Sequence, residues 1–149
     1  SVKPLADSSL VARRLSELEM ALYAAPSYLA RRGSVRTPED TASHDWVYFR
    51  SAMPPSPFPK PVRRSGVTGD DLLFIRHAVR AGLGIGFLPS FLTRDDVASG
   101  QLVQLLPRHT VRTGTLYLVY PKGHTVPRKV TAFRSFLLEY LATHPLSLR

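Results

Sequence analysis

A chain of 149 residues can form one α/β domain or two small lobes that share segments, and its 44% hydrophobic content is ordinary for a globular protein. No apolar run approaches the roughly 20 residues of a membrane span, and the first residues, SVKPLADSS, lack a signal-peptide core. The lack of Cys excludes disulfides, thiolate metal sites and a Cys nucleophile and suits a reducing cytoplasm, while a net charge of +9, from 20 basic and 11 acidic residues, points to anionic partners.

The basic residues do not form one tract. Arg13-Arg14, Arg31-Arg32 and Arg63-Arg64 are scattered pairs. No zinc-finger or RNA-recognition signature accompanies them, so they read as a solvated surface.

In chain order, residues 1–9 are polar and irregular. Leu10 to Tyr23 is ambiguous. Leu10, Arg14, Leu18 and Leu22 at four-residue spacing suggest a helix, whereas Val11 to Leu15 and Met20 to Tyr23 could be extended. Pro26 opens a short helix that Gly33 stops. Thr37-Pro38-Glu39-Asp40 reads as a second helix start, with Thr37 as N-cap and Pro38 in first position. Trp46 to Phe49 is a strand by its aromatic and β-branched content. The stretch SAMPPSPFPKP, residues 51–61, carries five prolines and makes a stiff extended loop. Val62 to Val67 would be the next strand.

Thr68 to Pro89 is the strongest unit. Asp70 and Asp71 suit the positive end of a helix. Leu72, Leu73, Ile75, Ala78, Val79 and Ala81 give a broad apolar face, with Arg76 and Arg80 opposite. Gly82 ends the helix in a left-handed conformation. Ile85, Phe87, Leu88 and Pro89 follow as a short buried strand. Strand, helix and strand in this order make a parallel unit that binds ligands at strand ends and helix starts.

Ser90-Phe91-Leu92 reads as a single helical turn, and Thr93-Arg94-Asp95-Asp96 as another helix start closed by Gly100. Gln101 to Leu106 is a half-buried strand, Arg108 to Gly114 a polar loop, Thr115 to Tyr120 a strand and Lys122 to Pro127 a turn. Val130 to Tyr140 is a second amphipathic helix, its face made by Val130, Phe133, Phe136, Leu137, Tyr140 and Leu141. This alternation implies an α/β sheet covered on both faces.

Four stretches, in this order, resemble the C-terminal effector-binding region of LysR-type transcriptional regulators. They are residues 8–15 (SSLVARRL), residues 25–29 (APSYL) with Thr37 to Asp40 and His44-Asp45, residues 81–89 (AGLGIGFLP), and residues 116–121 (LYLVYP) with 127–133 and Phe136-Leu137. The resemblance implies a periplasmic-binding-protein-like α/β fold of two lobes, with a small-molecule effector in the cleft between them. It makes Leu10 to Tyr23 mainly extended. It assigns residues 1–17 to the crossover leading into the second regulatory lobe, 18–114 to that lobe, and 115–149 to the strand and helix that return to the first. Family members begin with a winged helix-turn-helix, which is not seen ahead of Ser1. DNA would therefore be bound only through that missing N-terminal domain, and the first lobe would be only partly present. The family also implies a cytoplasmic homo-oligomer, a dimer and, in full length, a tetramer.

On this reading the second lobe's share of the cleft comes from Tyr48, Phe49 and Arg50 and from Thr68, Gly69 and Asp70. The aromatics could stack on an effector, Arg50 could pair with its carboxylate, and helix-start N–H groups with the Thr68 hydroxyl could hold an anion. Asp70 would repel that anion, and capping of the helix by Thr68 and Asp70 is the structural alternative. Phe58 and Pro59 could line the rim.

Enzymatic readings find little support. Gly82-x-Gly84-x-Gly86 follows a helix instead of a strand and reads as a tight turn with close backbone packing. His44-Asp45 lacks a nucleophile and a third member. His77, His109, His124 and His144 have no metal-ligand spacing. No catalytic residue, cofactor or metal is expected. The expected function is effector sensing and oligomerisation in a transcriptional regulator, with a solute-binding receptor of the same fold as the alternative.

Overall fold

The structure is a computed structural model and describes residues 10–50, 57–59, 66–121 and 127–144. It divides into two compact units, one made of residues 1–19 with 112–149 and the other of residues 20–111.

The second unit carries most of the sheet. Its strands are the end of β1 (Leu10–Ala24), β2 (Trp46–Phe49), β3 (Val67–Gly69), β4 (Ile85–Pro89) and β5 (Val103–Leu105). They lie in the order β3-β2-β4-β1-β5. The β2 strand runs parallel to both β3 and β4, while β1 runs antiparallel to β4 and β5. Helix α2 (Leu72–Arg80) connects β3 to β4, with β2 between them, as the strand-helix-strand order anticipates.

Alternation along the strands divides the core into two layers. Met20, Leu22, Ala24, Trp46, Ile85 and Phe87 enter one cluster with Tyr28 of helix α1 (Pro26–Arg32). Ala21, Tyr23, Val47 and Leu88 enter the other with Ile75, Ala78 and Val79 of α2. The sheet is thus covered on both faces. Phe58 is buried in the first cluster, 6.1 Å from the Phe87 ring, so it is a core residue and not the rim residue that its place in a proline-rich loop suggested.

The glycines of the 82–86 turn have separate reasons. Gly82 has φ 76° one residue beyond the Ala81 cap, the left-handed position expected of it. Gly84 lies against the Asp45 main chain, and a Cβ on Gly86 would come 2.5 Å from Val79 Cγ2. Close approach of backbone, not phosphate binding, accounts for the spacing.

Several boundaries differ from the sequence reading. Ser90 to Ala98 is one continuous helix, α3, and not a turn followed by a new start. Residues 39–43 form a 3-10 turn with Pro38 as its cap, while the Thr37 N–H donates to the Asp40 carboxylate. Part of the expected polar loop is a 3-10 turn, Pro107–His109, and strand β6 (Val111–Pro121) begins earlier than expected. On α2, Leu73 is 52% exposed and Ala81 is also exposed, so the buried face is narrower than the apolar pattern. Most of the expected strand at residues 62–67, and the 122–127 turn up to Pro127, lie outside the described residues.

In the first unit β6 pairs with β1, and helix α4 (Arg128–Thr143) follows. Glu17 pairs with Arg14 at 2.7 Å and with Arg112 at 3.4 Å. On α4, Phe136, Tyr140 and His144 stack in sequence at four-residue intervals. Phe133 and Phe136 are exposed.

Candidate functional site

Parallel pairing of β2 with β3 places the six expected site residues at one sheet edge. Tyr48 is in register with Thr68, and Phe49 with Gly69. One residue further on, the Arg50 N–H donates to the Gly69 carbonyl at 3.0 Å. The Arg50 guanidinium then reaches Asp70, with Nε 2.9 Å from Oδ1. Both side chains stay open to solvent, at 68% and 66% exposure.

The helix start next to them is organised differently from the sequence reading. Thr68 and Gly69 belong to β3, so neither they nor Asp70 caps the helix. Asp71 is the N-cap, its carboxylate accepting from the Phe74 N–H at 2.7 Å. The site's helix terminus therefore already has an anion on it. Gly69 leaves room for the Phe74 ring: a Cβ there would stand 2.8 Å from Phe74 Cδ1 and 3.3 Å from Ile75 Cδ1, so the half-exposed ring would have to shift.

The aromatics point into the protein. Tyr48 stacks on Trp46 with centroids 5.4 Å apart and planes at 4°. Its hydroxyl is buried with no hydrogen-bond partner among the described residues, and burial pushes the phenol up to about 12. Phe49 packs against the second core cluster. Both rings are partly buried. What the edge presents is Arg50, Asp70 and the exposed Thr68, with the half-exposed Phe74 ring beside Gly69.

Two polar clusters carry no sequence signature of their own. Asp96 is almost completely buried on α3, yet it holds Arg76 through two contacts, 2.5 and 2.8 Å, and Arg80 at 3.4 Å. Two guanidiniums from α2 thus tie that helix to α3. The second cluster explains His44-Asp45. The Tyr28 hydroxyl oxygen accepts from the Asp45 N–H at 2.8 Å and lies within hydrogen-bond distance, 3.2 Å, of His44 Nδ1. The Asp45 carboxylate lies 3.4 Å from Arg32. Burial first, and Arg32 second, hold the imidazole below its usual value. This is a structural tie between α1 and the start of β2.

A shallow groove lined by Pro26, Ser27, His77, Arg80 and Gln101 sits at the opposite end of α2. Among the described residues no three His, Cys, Asp or Glu side chains are placed to hold a metal, and no helix is long and apolar enough to cross a membrane.

The parallel strands β2 and β3 of this α/β lobe thus end on an open, charged edge. The family model for the LysR substrate binding domain matches residues 1–142, and the chain belongs to that family. The regulator PtxR of Pseudomonas aeruginosa is 31% identical over 150 residues, covering 95% of this chain and 48% of that protein. The transcriptional activator AaeR of Escherichia coli is 32% identical over 149 residues, covering 93% and 48%. The regulatory domain of CrgA from Neisseria meningitidis superposes with a TM-score of 0.81 at 27% identity, covering 94% of this chain and 72% of that one. The chain thus spans about half the length of the curated relatives it matches. Its periplasmic-binding-protein-like α/β fold is that of LysR-type regulatory domains.

Proposed function

We propose that this chain is the effector-sensing and oligomerisation region of a bacterial LysR-type transcriptional regulator working in the cytoplasm. The carrying observation is that Arg50 and Asp70, each one residue past the end of a different strand, meet on an open edge where neither is needed to complete the core. Residues 20–111 correspond to the second regulatory lobe, with one wall of the family's effector cleft at Arg50, Thr68, Gly69 and Asp70. Tyr48 and Phe49 support that wall from behind.

The mechanism is a population shift. A small molecule bound at this edge favours one arrangement of the regulatory region, and that arrangement alters how a homodimer, or a tetramer in full length, presents its helix-turn-helix domains to DNA. DNA is contacted through those domains of the regulator. Relatives of nearly equal identity include a named activator and a named repressor, so the direction of regulation is a property of each protein and not of the lobe.

The test is the effector response of the full-length regulator with Arg50→Ala, using a ligand found by thermal-shift screening of metabolites. The response should disappear while operator binding without effector is retained. An unchanged response removes Arg50 from the site.

A further inference from the structure

We propose that the ligand of this edge is a zwitterion, an α-amino acid with an apolar side chain, and not a simple anion. The proposal rests on placing the effector at Arg50 and Asp70. At the described strand ends the Arg50 guanidinium pairs with Asp70, and a second carboxylate, Asp71, follows in sequence. Asp71 already occupies the start of α2 by accepting from Phe74 N–H, so the helix terminus that would attract an anion is in use. A lone carboxylate arriving at Arg50 meets the charge of Asp70 at contact distance. A lone ammonium arriving at Asp70 meets Arg50.

A zwitterion meets neither penalty. Its carboxylate pairs with the guanidinium and its ammonium with Asp70, so one exposed ion pair is exchanged for two. The cost of loosening the internal pair is small, because both side chains are about two-thirds exposed. Neither partner is saturated by the other: a guanidinium has five N–H donors and a carboxylate about four acceptor positions. Thr68, exposed two residues before Asp70, adds a hydroxyl. Phe74, 50% exposed and with its ring against Gly69, gives the ligand side chain an apolar surface.

The experiment is calorimetric titration of the full-length regulator with L-phenylalanine and L-leucine, each beside its des-amino carboxylate (3-phenylpropanoate, 4-methylpentanoate) and its decarboxylated amine. At least one amino acid should bind ten or more times tighter than either of its two analogues. Arg50→Gln and Asp70→Asn should each weaken it at least tenfold, with the melting temperature of the unliganded protein unchanged. The sign of Asp70→Asn is decisive, since removing a negative charge strengthens the binding of a simple anion and weakens that of a zwitterion. If the carboxylates bind as tightly as the amino acids, through Arg50, and Asp70→Asn tightens them, the edge is the site but the zwitterion is wrong. If no amino acid binds at millimolar concentration, the zwitterion proposal is overturned, and the site itself is then judged by the Arg50→Ala response of the full-length regulator.

Discussion

Arg50 and Asp70 are joined across two strand ends by an ion pair of 2.9 Å that leaves both side chains largely in water. The backbone sets up this meeting. The Phe49–Gly69 register and the Arg50 N–H bond to Gly69 bring the two residues to the same level of the edge whatever their side chains are. A pair this exposed contributes about 0–1 kcal/mol. Arg50→Ala and Asp70→Ala should therefore each change unfolding free energy by less than about 1 kcal/mol in urea titrations. A larger loss in either variant would make the pair a structural brace.

The Asp96 cluster should behave in the opposite way. Removing one partner of a buried ion pair typically costs about 3–5 kcal/mol. Asp96 keeps Arg80 when Arg76 is lost, so Arg76→Met should cost about 2–3 kcal/mol, below that range. Arg80→Met, which removes the longer contact, should cost less. Urea denaturation of both variants checks the order, and a larger effect at Arg80 would show that the 3.4 Å contact dominates.

Two glycines separate crowding from conformation. Gly84 lies against the Asp45 carbonyl, the same group that accepts from Ile85 N–H at 2.8 Å where β4 joins β2. Gly84→Ala must push the strands apart, and overpacking of this kind costs about 1–3 kcal/mol or more. Gly100 has φ 71° with no atom near its absent side chain, so Gly100→Ala costs only the left-handed backbone term of about 1–2 kcal/mol. Gly84→Ala should be the more damaging, with a lower melting temperature and less soluble protein. Equal melting temperatures would remove the crowding argument.

The Tyr28–His44 tie gives stability a pH dependence. Burial lowers the imidazole value in the folded protein, while the unfolded chain takes up its proton near the ordinary 6.5. Between the two values the unfolded state holds more protons, so stability falls as pH drops from about 6.5 through the lower folded value. Arg32 adds to the shift and the carboxylates of Asp40 and Asp45 oppose it. His44→Gln should flatten the melting-temperature profile between pH 7 and 5 relative to the parent. A parallel profile would exclude His44 as its source.

Much of this architecture was legible where period and punctuation agree. Pro26 and Gly33 bracket α1, Gly82 ends α2 with the expected positive φ, and Trp46 to Phe49 is a strand. Leu10, Arg14, Leu18 and Leu22 could not decide between helix and strand, because a spacing of four is also two strand periods. They lie on one strand, β1. The apparent helix start at Thr93 failed because its polar residues are used otherwise. Thr93 bonds back to the Ser90 carbonyl and Asp96 binds arginines of α2. The six residues of the candidate site could be placed at strand ends, but their mutual pairing depends on the β2–β3 register, which no local pattern contains. For the same reason the Arg50–Asp70 contact was invisible, although the repulsion that Asp70 offers to an anion could be read from its charge alone.

The most direct measurement is amide chemical-shift mapping of the complete regulatory region on addition of its effector. The largest shifts should fall on Arg50, Thr68, Gly69 and Asp70, with smaller ones on Tyr48 and Phe49 behind them. Shifts centred on the groove at Pro26, His77 and Gln101, with Arg50 and Asp70 unmoved, would contradict the assignment of the effector to this edge.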